Sequence, residues 1–308
     1  MRIGVIGRTR ALCESTRRLH ELGHSISFVY TCRDEQYYEW PSSAFKTLSQ
    51  EINVPFFNDL KIEERADFLR STNTDICISV NWLTRLSVSF IELFPHGILN
   101  AHAGDLPKYR GNACINWAIL NGDKLACMSI YSMDESLDSG PVYLKEYFHL
   151  TADTYIGDFY DWANRVVPLM FCNAITGIEH NTLTAVPQDP AVVVLRTFPR
   201  KSEDSRINWK CSAQEIHRLI RASSSPFVGA LARTEDGRAV RILRAKLHSP
   251  EYQLLAIPGQ VCETIGKHPL VACGGTSEML LVTEAYVDDL PLEESMKILC
   301  RSLRSRLK

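Results

Sequence analysis

The chain opens on an apolar run inside residues 2–7 that closes on a glycine, and residues 11–22 then carry Leu12, Leu19 and Leu22 at helical spacing before Gly23. A second apolar run follows at 25–30. Strand, helix and strand in that order predict the start of a parallel sheet. The pattern continues with a helix over 42–51, a short strand at 54–56, a helix over 62–71 and a buried strand at 75–80 whose C-terminal edge runs into a loop at 81–84. The run at 94–99 differs, because it stops being hydrophobic at a fixed point. Asn100 and His102 stand two residues apart, so on a strand they project from one face. Gly104 and Pro107 then bend the chain away. A helix is expected over 112–120, strands over 124–131 and 142–149 around a turn containing Asp138, and a long helix over 154–179 with Ile156, Phe159, Trp162 and Val166 on its apolar face.

Between 183 and 208 the periodicity lapses. Prolines at 187, 190 and 199 and a polar run at 200–206 read as an interdomain connection. A short helix over 213–222 follows, then short alternating segments from 228 to 287 separated by Gly and Pro, the pattern of a small β-barrel. Residues 291–308 read as a helical, basic tail. The expected organisation is an α/β fold: a Rossmann-like, mostly parallel sheet domain over 1–188, a linker at 189–210 and an OB-like barrel over 211–308.

Composition narrows the class without changing this picture. A length of 308 residues fits two domains, and 45% hydrophobic with 23% charged residues is ordinary for a soluble globular protein. No apolar run is long enough to cross a bilayer, and Met1 opens into a strand pattern with no secretory signal, so a cytoplasmic location is expected. The 10 cysteines include no Cys-x-x-Cys pair, and several sit in apolar runs, as Cys77 does between Ile76 and Ile78. That argues for reduced, buried thiols and against a disulfide frame or a metal site. Net charge is −2, divided between residues 201–308, with 16 Lys+Arg against 13 Asp+Glu, and the first 200, with 18 against 23. The second half can meet phosphates but lacks the dense basic face of a dedicated nucleic-acid binder.

A polar pair at the C-terminal end of a core strand, followed by a turn, is where open α/β sheets place their chemistry. Taken singly, either residue is better explained as a hydrogen-bonded strand end. The first strand–helix turn lacks the glycines of a dinucleotide fingerprint, because Gly7 is followed by Arg8, Thr9, Arg10, Ala11 and Leu12.

Three motifs in order carry more weight: Asn100-Ala101-His102, Leu106-Pro107-Lys108-Tyr109-Arg110-Gly111, and Asp138-Ser139-Gly140. With them stand Asn116-Trp117, Asn121-Gly122, the stretch from Pro199 to Trp209, and the stretch from Glu215 through Arg221 to Gly229. Together they resemble the folate-dependent formyltransferase family, and the resemblance covers nearly the whole chain. It implies a formyl group moved from 10-formyltetrahydrofolate to an amine, with Asn100, His102 and Asp138 catalytic and no metal. Such a transfer passes through a tetrahedral oxyanion, which hydrogen-bond donors stabilise, and it requires a neutral amine that then sheds a proton. The resemblance further implies a folate pocket of Trp82, Leu83, Thr84, Met133 and Leu137, with Tyr109 and Arg110 shaping the turn beside folate and acceptor. It also implies a homodimer. The chain departs from the family pattern at Cys114, where proline often follows Ala113, at Tyr131 of Tyr131-Ser132-Met133, and at Asn208 before Trp209.

The acceptor is read from the loop after the second strand. Residues 31–51 hold Arg33 and Lys46 against Asp34, Glu35, Glu39 and Glu51. Phosphate neutralisation dominates nucleic-acid affinity, so an acidic loop favours a nucleotide-linked amino sugar over the alternative acceptor, methionyl-tRNA. Tyr37, Tyr38 and Trp40 suit stacking on a base, and Arg200, Lys201 or Arg206 suit a diphosphate. A catalytically inactive folate- or nucleotide-binding module is a third reading, which the intact Asn100, His102 and Asp138 oppose.

Overall fold

A computed structural model describes residues 1–34, 40–251, 255–275 and 278–308. Tyr37 and Tyr38 lie outside the described residues. The chain runs β1 (Arg2–Gly7), α1 (Arg10–Glu21), β2 (Ser25–Thr31), α2 (Ser42–Glu51) and β3 (Phe56–Asn58). A 3-10 turn at Ile62–Arg65 leads into α3 (Ala66–Ser71), followed by β4 (Ile76–Val80), α4 (Val88–Ile91) and β5 (Ile98–His102). Then come β6 (Tyr109–Gly111), α5 (Cys114–Asn121), β7 (Leu125–Ser132), β8 (Val142–His149), α6 (Ile156–Glu179) and β9 (Leu195–Thr197). The remainder is α7 (Ala213–Ser223), β10 (Ala230–Arg233), β11 (Ala239–His248), β12 (Val261–Ile265), β13 (His268–Ala272), β14 (Met279–Val287) and α8 (Leu292–Leu299).

Seven strands form one sheet in the order β3-β2-β1-β4-β5-β7-β8, parallel from β3 to β5 and antiparallel through β7 and β8. The parallel strands are apolar because both faces are covered: β1 buries every residue after Arg2, and β5 buries all of Ile98–His102. Ile6, Phe28, Leu69, Cys77, Phe90, Phe94 and Ile98 form a core cluster in this unit. Five antiparallel strands, in the order β10-β11-β14-β13-β12, make the second sheet. Its core joins Ile216 and Ile220 of α7 to Val240, Val271, Leu280 and Val282. Helix α7 starts on a capping box, Ser212 and Glu215 satisfying one another's backbone N–H groups. The chain divides into two units, one of residues 1–114, 125–149 and 159–198, the other of 115–124, 150–158 and 199–308.

The mostly parallel sheet followed by a smaller antiparallel one is the expected order. Several elements differ locally from what the sequence predicts. The strand expected at 54–56 lies at Phe56–Asn58, and the helix over 62–71 begins as a 3-10 turn. The strand expected over 94–99 lies at Ile98–His102, with Asn100 and His102 at its C-terminal end. The tail is helical only to Leu299; beyond it, Arg306 bridges Gln260. The expected linker contains β9, which pairs in parallel with β6.

Candidate active site

Strand β5 carries Asn100 and His102 on one face, and β7 sets Tyr131 opposite Asn100 and Ser129 opposite His102. All are buried, with Asn100 9%, His102 8% and Asp138 5% exposed. The Tyr131 hydroxyl joins two of the motifs. It accepts a long bond from Asn100 Nδ2 at 3.4 Å and donates to Asp138 Oδ1 at 2.7 Å. The other carboxylate oxygen, Oδ2, accepts from the Gly111 N–H at 2.7 Å and stands 3.7 Å from His102 Nδ1.

The imidazole is held between acceptors. His102 Nε2 lies 2.8 Å from the Tyr109 carbonyl, which can only accept, so Nε2 carries a proton. Nδ1 faces the Asp138 carboxylate, so a proton is favoured there as well. Burial pulls the imidazole down, but Asp138, the Cys114 sulfur and the Tyr109 carbonyl outweigh it and raise the pKa from 6.5 to about 9. The same carboxylate adds to burial in holding the Tyr131 phenol well above its usual range. Tyr131 thus joins Asn100 to Asp138, and the same carboxylate faces His102.

The loop from β5 to β6 is fitted closely around this group. A Cβ at Gly104 would come within 2.4 Å of the Tyr109 carbonyl and 2.5 Å of His102 Nε2, so a glycine is required. Gly111, at φ +113, lets β6 approach β9, where a Cβ would meet the Thr197 carbonyl at 2.2 Å. Lys145 pairs with Asp105 at 2.7 Å, which fastens the loop to β8.

Other expected site residues are placed as follows. The Arg110 guanidinium donates twice to Gln188 Oε1, at 3.1 and 2.6 Å. Gln188 in turn donates to the carbonyls of Asp138 and Gly140 at 2.9 and 2.8 Å, so Arg110 braces the aspartate turn. Trp82 donates to Thr84 Oγ1 at 2.9 Å and sets its ring against Tyr30 at 5.7 Å. Trp82 and Met133 both pack on the core of the first unit, while Leu83 is exposed and Leu137 half-buried. Trp40 lies under the Arg10 guanidinium at 5.6 Å. Arg200, Lys201 and Arg206 belong to the second unit. There Arg200 stacks on Trp117 at 5.4 Å and donates to the Asp204 carbonyl at 2.9 Å.

The motifs omitted Tyr131, Gln188 and Cys114. Cys114 Sγ lies 3.5 Å from His102 Nε2 and 3.0 Å from Thr197 Oγ1. Two of the three stand where the chain departs from the family pattern, and that departure was their signal. Gln188 carried none. Among the described residues, no group of His, Cys, Asp and Glu could hold a metal ion.

The sheet order, with a buried polar cluster at the end of a central strand, defines an α/β fold with a strand-end site. The model of the formyl transferase family matches residues 1–174, and that of the formyl transferase C-terminal domain matches 200–289. A methionyl-tRNA formyltransferase of Sorangium cellulosum is 34% identical over 235 residues, 74% of this chain and 73% of that protein. Another, from Lachnospira eligens, is 29% identical over 94% of this chain and 92% of its own length. The crystal structure of an N-formyltransferase from Helicobacter canadensis, in complex with folinic acid and dTDP-3-aminofucose, shares the fold: TM-score 0.66 at 16% identity, over 91% of this chain and 98% of that one. The chain belongs to the folate-dependent formyltransferase family, whose formyl donor is 10-formyltetrahydrofolate.

Proposed function

We propose that the cluster of Asn100, His102 and Asp138 transfers a formyl group from 10-formyltetrahydrofolate to the primary amine of a nucleotide-linked amino sugar. The observation that carries the reaction is the buried His102, set between the Asp138 carboxylate and the Tyr109 carbonyl beside the Asn100 amide, an environment that favours its cation. The neutral amine adds to the formyl carbon, forming a C–N bond and an oxyanion. The Asn100 amide donates to that oxygen, and the His102 imidazolium stabilises its charge from a buried position. The bond from carbon to N10 of the folate then breaks. The proton shed by the attacking nitrogen ends on N10, so tetrahydrofolate leaves and the formamide remains. Asp138 keeps His102 charged. Trp82, Leu83, Thr84, Met133 and Leu137 would line the folate, with Tyr109 beside the acceptor.

The acceptor reading rests on the acidic balance of residues 31–51. Trp40, with Arg10 over its ring, offers a surface to a base. A second reading, methionyl-tRNA, is favoured by the relatives: the Sorangium and Lachnospira proteins both carry that name and match most of the chain. Initial rates with methionyl-tRNA and with UDP- and dTDP-linked amino sugars, followed as tetrahydrofolate release at moderate salt, separate the two. Turnover on an amino sugar supports the first. Efficient formylation of methionyl-tRNA alone replaces it with the second, and no turnover with any amine sinks both.

A further inference from the structure

We infer that the second unit holds an oxyanion site, fitted to a phosphate group, between the Asn121-Gly122 turn and helix α7. A cavity of about 200 Å³ opens there, lined by Gly122, Lys124, Thr151, His217, Arg218 and Arg221, with Asp123 its one carboxylate. Every lining residue belongs to the second unit, so nothing in it derives from the Asn100–His102–Asp138 cluster.

Arg221 is the central group. It is 7% exposed, and its Nη1 is satisfied by the carbonyls of Thr151 at 2.9 Å and Thr154 at 3.0 Å. Buried Nε has no hydrogen-bond partner among the described residues, and neither Thr151 nor Thr154 supplies a negative charge through its carbonyl. Fastening the 151–154 loop accounts for Nη1 and leaves the Nε–H over, a charged donor suited to one oxygen of an anion. Asp153 and Tyr155 act on Arg221 from the 151–158 segment, and Arg218 opposes them from α7.

The Asn121-Gly122 turn leaves room for a second guanidinium. Arg218 lies against Gly122, where a Cβ would meet its Cζ at 2.6 Å, and the turn holds φ +75. His217 donates from Nε2 to the Ala245 carbonyl at 3.1 Å, and burial with the neighbouring Arg221 lowers it to about 4, so it stays neutral and adds no charge. Arg218, Arg221 and Lys124 therefore set the sign of the cavity, and a compact anion with several oxygens matches it. A phosphate monoester, a nucleotide diphosphate and a nucleic-acid backbone phosphate share that chemistry. The site is independent of which amine is formylated.

Calorimetric titration with inorganic phosphate at fixed ionic strength tests the site in the full chain. Saturable binding is expected in the wild type and unchanged in His102→Ala, with affinity falling about tenfold in Arg218→Gln through loss of one charge-assisted contact. Arg221→Lys is a second probe, with circular dichroism as its folding control; should it fail to fold, Arg218→Gln decides. Absence of saturable binding into the millimolar range, or equal affinity in wild type and Arg218→Gln, overturns the site. Parallel titrations with a nucleoside diphosphate and a short RNA hairpin identify the source. A hairpin affinity whose salt slope falls by about one in Arg218→Gln marks a backbone phosphate. An effect confined to the small ligands marks a free nucleotide or phosphate.

Discussion

At the scale of single residues, His102 is defined by what surrounds it. An imidazole with a carbonyl at Nε2 and a carboxylate near Nδ1 keeps its second proton past neutrality, and its pKa stands at about 9 against 6.5. Two consequences follow with opposite pH limbs. Turnover should rise with pH as the acceptor amine loses its proton, then decline as His102 does so near 9, the limbs belonging to coupled groups. A rate that climbs steadily through pH 9 would make neutral His102 a base and refute its role as a cation. Stability follows the same proton. A raised pKa stabilises the fold fully below 6.5, and that stabilisation, up to about 3 kcal/mol, is lost as pH rises through about 9. Denaturant midpoints of wild type and Asp138→Asn across that window should show the loss in the first and little of it in the second. Tyr131→Phe removes the hydroxyl between Asn100 and Asp138 and leaves a carboxylate oxygen without its donor. We expect about 1–3 kcal/mol off stability and a fall in kcat beyond it, checked by urea melts beside steady-state rates.

At the scale of elements, the β5–β6 loop turns a strand end into a site. Gly104→Ala would push a methyl into the Tyr109 carbonyl and His102 Nε2. Turnover should drop by far more than the melting temperature, since the loop can shift while the imidazole loses its place. Near-normal turnover in Gly104→Ala would mean that the His102–Tyr109 contact is dispensable. The parallel strands were legible in the sequence because strands buried on both faces read as apolar runs, and β5 was marked by where that run ended. The pairing of β6 with β9 was not legible, because two three-residue strands far apart in the chain leave no periodicity to read. Asn100, His102 and Asp138 were visible as motifs. Gln188 was hidden in a Pro-rich stretch, since its role depends on the fold bringing it to the Asp138 turn.

At the scale of the whole molecule, no disulfide joins the described cysteines, and those in the core, such as Cys13, Cys77 and Cys127, are pushed up by burial and stay protonated. Among the described residues, no helix is long and apolar enough to cross a membrane. The division of charge bears on the acceptor. A tRNA held by many phosphates should lose affinity steeply with salt, whereas a nucleotide sugar engages few cations. A KM for the preferred acceptor that changes little between low and moderate salt is expected, and a steep rise would argue for tRNA. If the polar cluster at the end of β5 performs the transfer, its loss must show in the chemical step itself. Single-turnover release of tetrahydrofolate from 10-formyltetrahydrofolate, with the best acceptor saturating, tests this most directly in wild type, His102→Ala and Asp138→Asn. A fall of roughly a hundredfold or more is predicted in each variant, with folding intact by circular dichroism. Transfer at near wild-type rate in either folded variant would contradict it.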